Sequence, residues 1–145
     1  MVNYRRPESI LVLIYTSNHE VLLLKRIDPF PYWQSVTGSM RVNESEEDAA
    51  QRELREETGL KDEGFMVDCE LSRSFEIDPR WQHRYHYSNK VNIEHEFHYL
   101  LAERSKITLD PKEHSQYKWL PIDIAIKEVW SWTNKEALER LAARL

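Results

Sequence analysis

The sequence predicts a mixed α/β domain built in layers, with strands and helices arriving in blocks and not alternating one for one. Three observations carry this. The chain opens with paired apolar runs too short for helices, and it closes on two helix-start signals. Between them lies one acidic helix, bracketed by two of the chain's three glycines. At 145 residues, 41% of them hydrophobic, one domain over 1–145 can bury a core of its own.

Ser9 to Thr16 (SILVLIYT) is a β-branched apolar run and reads as a buried strand. Ser17-Asn18-His19 supplies the turn, and Glu20 to Arg26 (EVLLLKR) returns as a second strand. Asp28-Pro29-Phe30-Pro31-Tyr32 is loop, because each proline removes a backbone donor. Trp33 to Thr37 is a short extended piece leading into Gly38. Ser45 is the expected N-cap of a helix running through Glu57, with Glu46, Glu47 and Asp48 complementing the dipole of its first turn. Gly59 ends that helix in a left-handed C-cap. Its packed stripe, Ala49, Ala50 and Leu54, is narrow, which leaves surface for chemistry. Extended segments follow around residues 65–77, 83–86, 94–103 and 116–120. Pro121 opens a short helix ending near Val129, and Thr133-Asn134-Lys135-Glu136 is a capping box for a helix to about Leu145.

The formal charge of −5 argues against a nucleic acid polymer or an anionic membrane as partner. A single cysteine, Cys69, cannot close an internal disulfide. The run Met1-Val2-Asn3-Tyr4-Arg5-Arg6-Pro7 lacks the apolar core of a signal peptide, and no stretch is long enough to span a bilayer. A cytoplasmic protein is the expectation.

Chemistry concentrates between Gly38 and Leu60. Glu53, Glu56 and Glu57 stand at helical i, i+3, i+4 spacing, so they share a face and repel. Arg52 can relieve part of this through an i, i+4 pair with Glu56, but a solvated helix face needs neither bracketing glycine. Gly38 and Gly59 read as positions requiring an unusual backbone dihedral. A hard divalent cation, which prefers oxygen ligands, is the natural complement of such a cluster.

The spacing Gly38-x5-Glu44-x7-Arg52-Glu53-Leu54-x-Glu56-Glu57-x-Gly59-Leu60 fills every fixed position of the Nudix signature, and the chain is identified as resembling the Nudix hydrolases. That resemblance implies an αβα sandwich with a mixed sheet and a loop–helix–loop catalytic motif. It also implies Mg²⁺-dependent hydrolysis of a diphosphate linked to another moiety, with Mn²⁺ as an alternative ion. By position, Glu53 and Glu57 are the leading metal ligands, Arg52 orients carboxylates, and Glu44 and Glu56 bind a second ion or take the proton. The loop departs from many members at Arg41 and Asn43, neither a fixed position.

The likeness extends beyond the signature. Arg5-Arg6-Pro7, Tyr32 to Ser39, Phe75-Glu76-Ile77, His83-Arg84-Tyr85, Glu113-His114, Tyr117-Lys118-Trp119 and Trp130 to Asn134 resemble the branch of the family that removes pyrophosphate from a pterin triphosphate in folate synthesis, or from dATP. That branch implies Glu113 as third metal ligand and Arg5, Arg26, Thr37 and Ser131 as contacts to a small-molecule triphosphate. Phe75, Glu76, Ile77 and Asp78 would line the pterin or base pocket, Asp78 standing where a relative has an aromatic residue. A broader enzyme acting on dATP or oxidised purine triphosphates is the rival expectation. A non-catalytic nucleotide-binding module would be expected to lose glutamates from the signature, and none is lost. Glu94, Glu96 and His98 alternate on one strand face, with His95 on the other, so His95 and His98 do not suit a shared zinc. Trp33, Trp119, Trp130 and Trp132 are read as core or pocket wall.

Overall fold

In the computed structural model, which describes residues 3–145, seven strands form one mixed sheet with helices on both faces. Met1 and Val2 of the N-terminal run lie outside the described residues. The elements in order are β1 (Glu8–Thr16), β2 (Glu20–Arg26), β3 (Tyr32–Gln34), β4 (Val36–Ser39), α1 (Glu46–Thr58), β5 (Phe65–Glu76), a 3₁₀ turn (Gln82–Arg84), β6 (Val91–Leu101), β7 (His114–Pro121), α2 (Ile122–Glu128) and α3 (Trp132–Arg144). Among the described residues no helix is long and apolar enough to cross a membrane.

β1 is the centre, buried on both faces, and this is why its sequence is an unbroken apolar run. It lies parallel to β6 along its whole length, from Glu8 opposite Ile93 to Thr16 opposite Leu101. Successive side chains divide between two cores. Ile10, Val12 and Ile14 pack with Leu54, Ala49 and Ala50 of α1. Leu11 and Leu13 pack with Ala125 of α2 and with Ala137, Leu138 and Leu141 of α3. The result is the expected αβα sandwich.

The free edge of β1 is shared. Ser9 to Val12 pair with β4, whereas β2 meets β1 only at Tyr15 opposite Val21 and then runs along β7 and β3. The sheet therefore splits beside β4, and two adjoining cavities are lined from that split.

Three local expectations are corrected. Residues 83–86 are not extended. The Asp78 carboxylate accepts from the Arg80 N–H at 2.9 Å, and Arg84 N–H donates to the Trp81 carbonyl at 2.9 Å, so the segment coils into the 3₁₀ turn. Pro121 ends β7, opposite Glu20, and does not begin the helix. The cap of α3 is Ser131, whose hydroxyl accepts from Asn134 N–H at 3.2 Å, while Thr133 is buried with its hydroxyl 2.8 Å from Ser131. The α1 caps follow expectation: Ser45 accepts from Asp48 N–H, and Gly59 sits at φ 77°.

Candidate active site

α1 places its polar face against the loop that precedes it. The Arg52 guanidinium forks onto Glu44, with Nε to Oε2 at 2.8 Å and Nη2 to Oε1 at 2.9 Å. Its Nη1 reaches Glu53 at 2.8 Å and Glu56 at 3.2 Å, and Nη2 also donates to the Ser39 carbonyl at 3.0 Å. Glu44 also accepts from Arg41 N–H, and the Arg52 bonds hold its carboxyl far below the usual range, at about 2. The i, i+4 pair between Arg52 and Glu56 is therefore one arm of a larger network. Glu56 remains half exposed, with a weaker contact to Arg41 at 3.5 Å.

Gly38 is needed for a reason other than the expected dihedral. It sits in β4 opposite Ile10, on the α1 side, and a Cβ there would stand 2.2 Å from the Glu53 carboxyl carbon. A side chain at position 38 would occupy the seat of the Glu53 carboxylate. Gly59 does take the left-handed conformation.

Glu57 is 1% exposed, and neither of its oxygens has a hydrogen-bond partner. Burial, reinforced by the neighbouring Glu53 and Glu113 carboxylates, pushes its pKa well above the ordinary value. Glu113, in the turn just before β7, is likewise raised, chiefly by burial, and its Oε2 stands 3.7 Å from Arg26 Nη1. His114 Nε2 is 3.7 Å from Glu57 and 3.0 Å from the Gln34 amide. Burial lowers His114 to about 4, so at neutral pH it is uncharged and cannot neutralise Glu57. Orphaned oxygens on Glu57, with Glu53 and Glu113 beside them, fit a divalent cation; the Arg26 charge offsets only part of the crowding and bonds to neither Glu57 oxygen.

Two cavities meet at this point. A small one of about 170 Å³ is lined by Arg41, Arg52, Glu53 and Glu113; a larger one of about 600 Å³ extends across the sheet towards α3. Arg5, Arg26, Thr37, Gly38 and Ser39 line both. The larger cavity is also lined by Phe75, Glu76, Ile77, Asp78 and Ser131, so the structure brings the sequence-proposed contacts to one continuous cleft. Several are already engaged: Thr37 donates to the Ile10 carbonyl at 2.8 Å, Asp78 pairs with Arg80 at 2.8 Å, and Ser131 caps α3.

The rest of the lining is only partly legible in the sequence: His83-Arg84-Tyr85-His86 reads as serving the substrate cleft or a local hydrogen-bond network and Trp130 as core or pocket wall, whereas Trp81, Asn92 and Glu94 carry no such reading. Arg84 lines the cavity close enough to Arg5 and Arg26 for their charges to lower its pKa, after burial. Tyr32, Trp81 and Trp130 form an aromatic wall, with Tyr32–Trp130 and Trp81–Trp130 centroids 5.0 and 5.6 Å apart. Asn92 and Glu94 of β6 line the cavity on the α3 side. No short motif joins these residues; only the parallel β1–β6 register brings Glu94 opposite Ser9.

Comparison with known proteins gives a consistent result. The NUDIX domain model matches residues 5–141. The dihydroneopterin triphosphate diphosphatase of Escherichia coli (strain K12) is 38% identical over 94% of this chain and 93% of its own length. The Haemophilus influenzae protein of the same name is 34% identical, over 97% and 90%. The structure of the E. coli dihydroneopterin triphosphate pyrophosphohydrolase superposes with a TM-score of 0.91 at 36% identity, over 99% of this chain and 100% of that one. A NUDIX hydrolase of Listeria monocytogenes gives 0.79 at 26%, over 96% and 94%.

Proposed function

The chain belongs to the NUDIX hydrolase family, and from that premise we propose that it cleaves dihydroneopterin triphosphate to dihydroneopterin monophosphate and pyrophosphate with Mg²⁺. The observation that supports this reading best is the continuity of the two cavities through Arg5, Arg26, Thr37, Gly38 and Ser39. A triphosphate belongs at the charged end, and a flat heterocycle belongs against Tyr32, Trp81 and Trp130.

Glu53, Glu57 and Glu113 would hold the ion. When bound, it supplies neutralisation of phosphate charge and acidification of a water. The chain's own residues do the rest. Arg26, 3.7 Å from Glu113, and Arg5, hydrogen-bonded to Ser39 at 3.4 Å, face the phosphates from the shared wall. Arg52 fixes Glu44 and Glu53, so these carboxylates need little reorganisation during the reaction. Glu56 is half exposed and only loosely paired, whereas both Glu44 oxygens are bonded to Arg52. Glu56 is thus the freer of the two carboxylates to take a proton from the attacking water.

The test is a panel of triphosphates with pyrophosphate detection, in Mg²⁺ and in EDTA. Equimolar pyrophosphate and dihydroneopterin monophosphate, abolished by EDTA, is the expected outcome. Release of inorganic phosphate alone, or a strong preference for dATP in kcat/KM, would refute the pterin assignment.

A further inference from the structure

Glu94 projects from β6 on the α2–α3 side of the sheet, opposite Ser9 of β1 and Arg73 of β5. It is 6% exposed, lines the larger cavity, and its Oε1 has no hydrogen-bond partner. The neighbouring donors leave that oxygen unserved. Thr133 and Ser131 share a hydroxyl contact at 2.8 Å in which either can donate; even with Ser131 donating and the Thr133 proton turned to Glu94, one carboxylate oxygen is served and Oε1 stays open. Arg73 directs Nη1 to Glu96 at 2.6 Å and Nε to Glu136 at 3.1 Å, and its Nη2, though buried, bonds to nothing. Two residues earlier on the same strand face, Asn92 is 1% exposed. Its amide nitrogen donates to Ser9 at 2.8 Å, and its Oδ1 is unpartnered. Buried acceptors are ordinarily satisfied, and leaving one open costs about 1–3 kcal/mol. Here two unpaired buried acceptors belong to neighbouring residues that line one cavity, across which stand the aromatic rings of Tyr32, Trp81 and Trp130.

On the reading of this cleft as a triphosphate site, we infer that Glu94, with Asn92 beside it, is the specificity residue for the heterocycle and accepts hydrogen bonds from an amino–imino edge. The 2-amino-4-oxopyrimidine portion of a pterin or a guanine presents such an edge, an N–H and an NH₂ side by side. A carboxylate takes both protons as a fork. Adenine presents one NH₂ next to an acceptor nitrogen, which would face a carboxylate oxygen lone pair to lone pair. Adenine is instead matched by an amide, as Asn and Gln do in reading DNA. Burial raises the Glu94 pKa to about 7, as expected of an anion whose hydrogen-bond partners arrive with the ligand.

Glu94→Gln keeps the volume and replaces the two-acceptor fork by one acceptor and one donor. The experiment measures kcat/KM for pyrophosphate release from dihydroneopterin triphosphate, dGTP and dATP, with wild type and Glu94→Gln at saturating Mg²⁺. In parallel it measures Kd for neopterin, which carries no phosphate, by its own fluorescence. The expected result is a loss of about 10- to 100-fold for the pterin and guanine substrates, carried by KM with kcat nearly unchanged, and no loss for dATP. Neopterin binding weakens by a similar factor. Loss on the pterin alone assigns the edge to pterin; loss on both pterin and dGTP assigns it to the shared ring. An equal loss on all three substrates, or none on any, overturns the inference. If the wild type releases no pyrophosphate from any triphosphate, the catalytic reading fails, and the neopterin Kd alone still decides the role of Glu94.

Discussion

Around α1, Arg52 is bonded to Glu44, Glu53 and Glu56 within 3.2 Å; across the shared wall, Glu94 and Asn92 line a cavity and each keeps a buried acceptor bonded to nothing in the protein. Both ends of the cleft leave buried oxygens open, but of different kinds. At the charged end the open group is Glu57, crowded by Glu53 and Glu113, and what it lacks is positive charge. At the other end Glu94 stands opposite Arg73, whose hydrogen bonds go to Glu96 and Glu136, and what its Oε1 lacks is an N–H donor. One end therefore suits a cation and any polyphosphate, whereas the other suits a particular ring. The contrast separates how a bond is broken from which molecule is chosen.

Three changes break or sharpen this contrast, from the largest effect to the smallest. Glu57→Gln removes the open anion at the charged end while keeping its shape. Turnover should fall on the order of a thousandfold on every substrate, about 4 kcal/mol of lost charge stabilisation, with the fold intact by circular dichroism. Near-normal turnover at saturating Mg²⁺ would contradict the assignment of Glu57 as a ligand. Gly38→Ala puts a Cβ into the Glu53 carboxylate. Displacing that group by about an ångström should cost about a hundredfold in kcat. Mg²⁺ titration of activity should shift to higher concentration, and an unshifted titration would show that Glu53 is not held by the absence of that Cβ.

The smallest effect is in stability. The Glu94 carboxyl is raised from 4.5 to about 7 in the folded protein, so folding favours its protonated form. Its contribution is fully present below pH 4.5 and is lost as pH rises through 7. The metal-free wild type should therefore lose stability relative to Glu94→Gln between those values, with a slope of at most about 1.4 kcal/mol per pH unit. Above pH 7 the difference should level off. Urea unfolding in EDTA at four pH values measures this, and parallel curves would show that Glu94 is not strained by burial.

The same contrast explains what could be read from the sequence. Ser45, Arg52, Glu53, Glu57 and Gly59 lie on one helix and its caps, and helical spacing turns their order in the chain directly into geometry. β1 was legible because burial on both faces leaves an unbroken apolar run. The larger cavity draws on the N-terminal segment, β1 to β4, the C-terminal end of β5, the 3₁₀ turn, β6 and the start of α3. Nothing local in a sequence states that Asn92 and Thr133 face one space. Glu94, Glu96 and His98 could be placed on one strand face by alternation, but which of the three meets a cavity depends on register. Glu96 and His98 are satisfied by Arg73 and by each other, at 2.6 Å in both cases, and Glu94 is the one left over. Gly38 reads as a dihedral because a sequence shows what a residue lacks but not which neighbour uses the space.

The aromatic wall has an optical consequence. Of the five tryptophans, Trp81, Trp130 and Trp132 line the larger cavity, whereas Trp33 and Trp119 pack against the two cores. Arg80 lies 5.6 Å from the Trp81 ring and 5.4 Å from Trp130, so two of the three emitters already sense a nearby cation. A molecule entering the cavity changes the surroundings of those three indoles and leaves the other two as an internal reference. The protein's own ultraviolet emission thus reports occupancy, without a label and before any bond is broken.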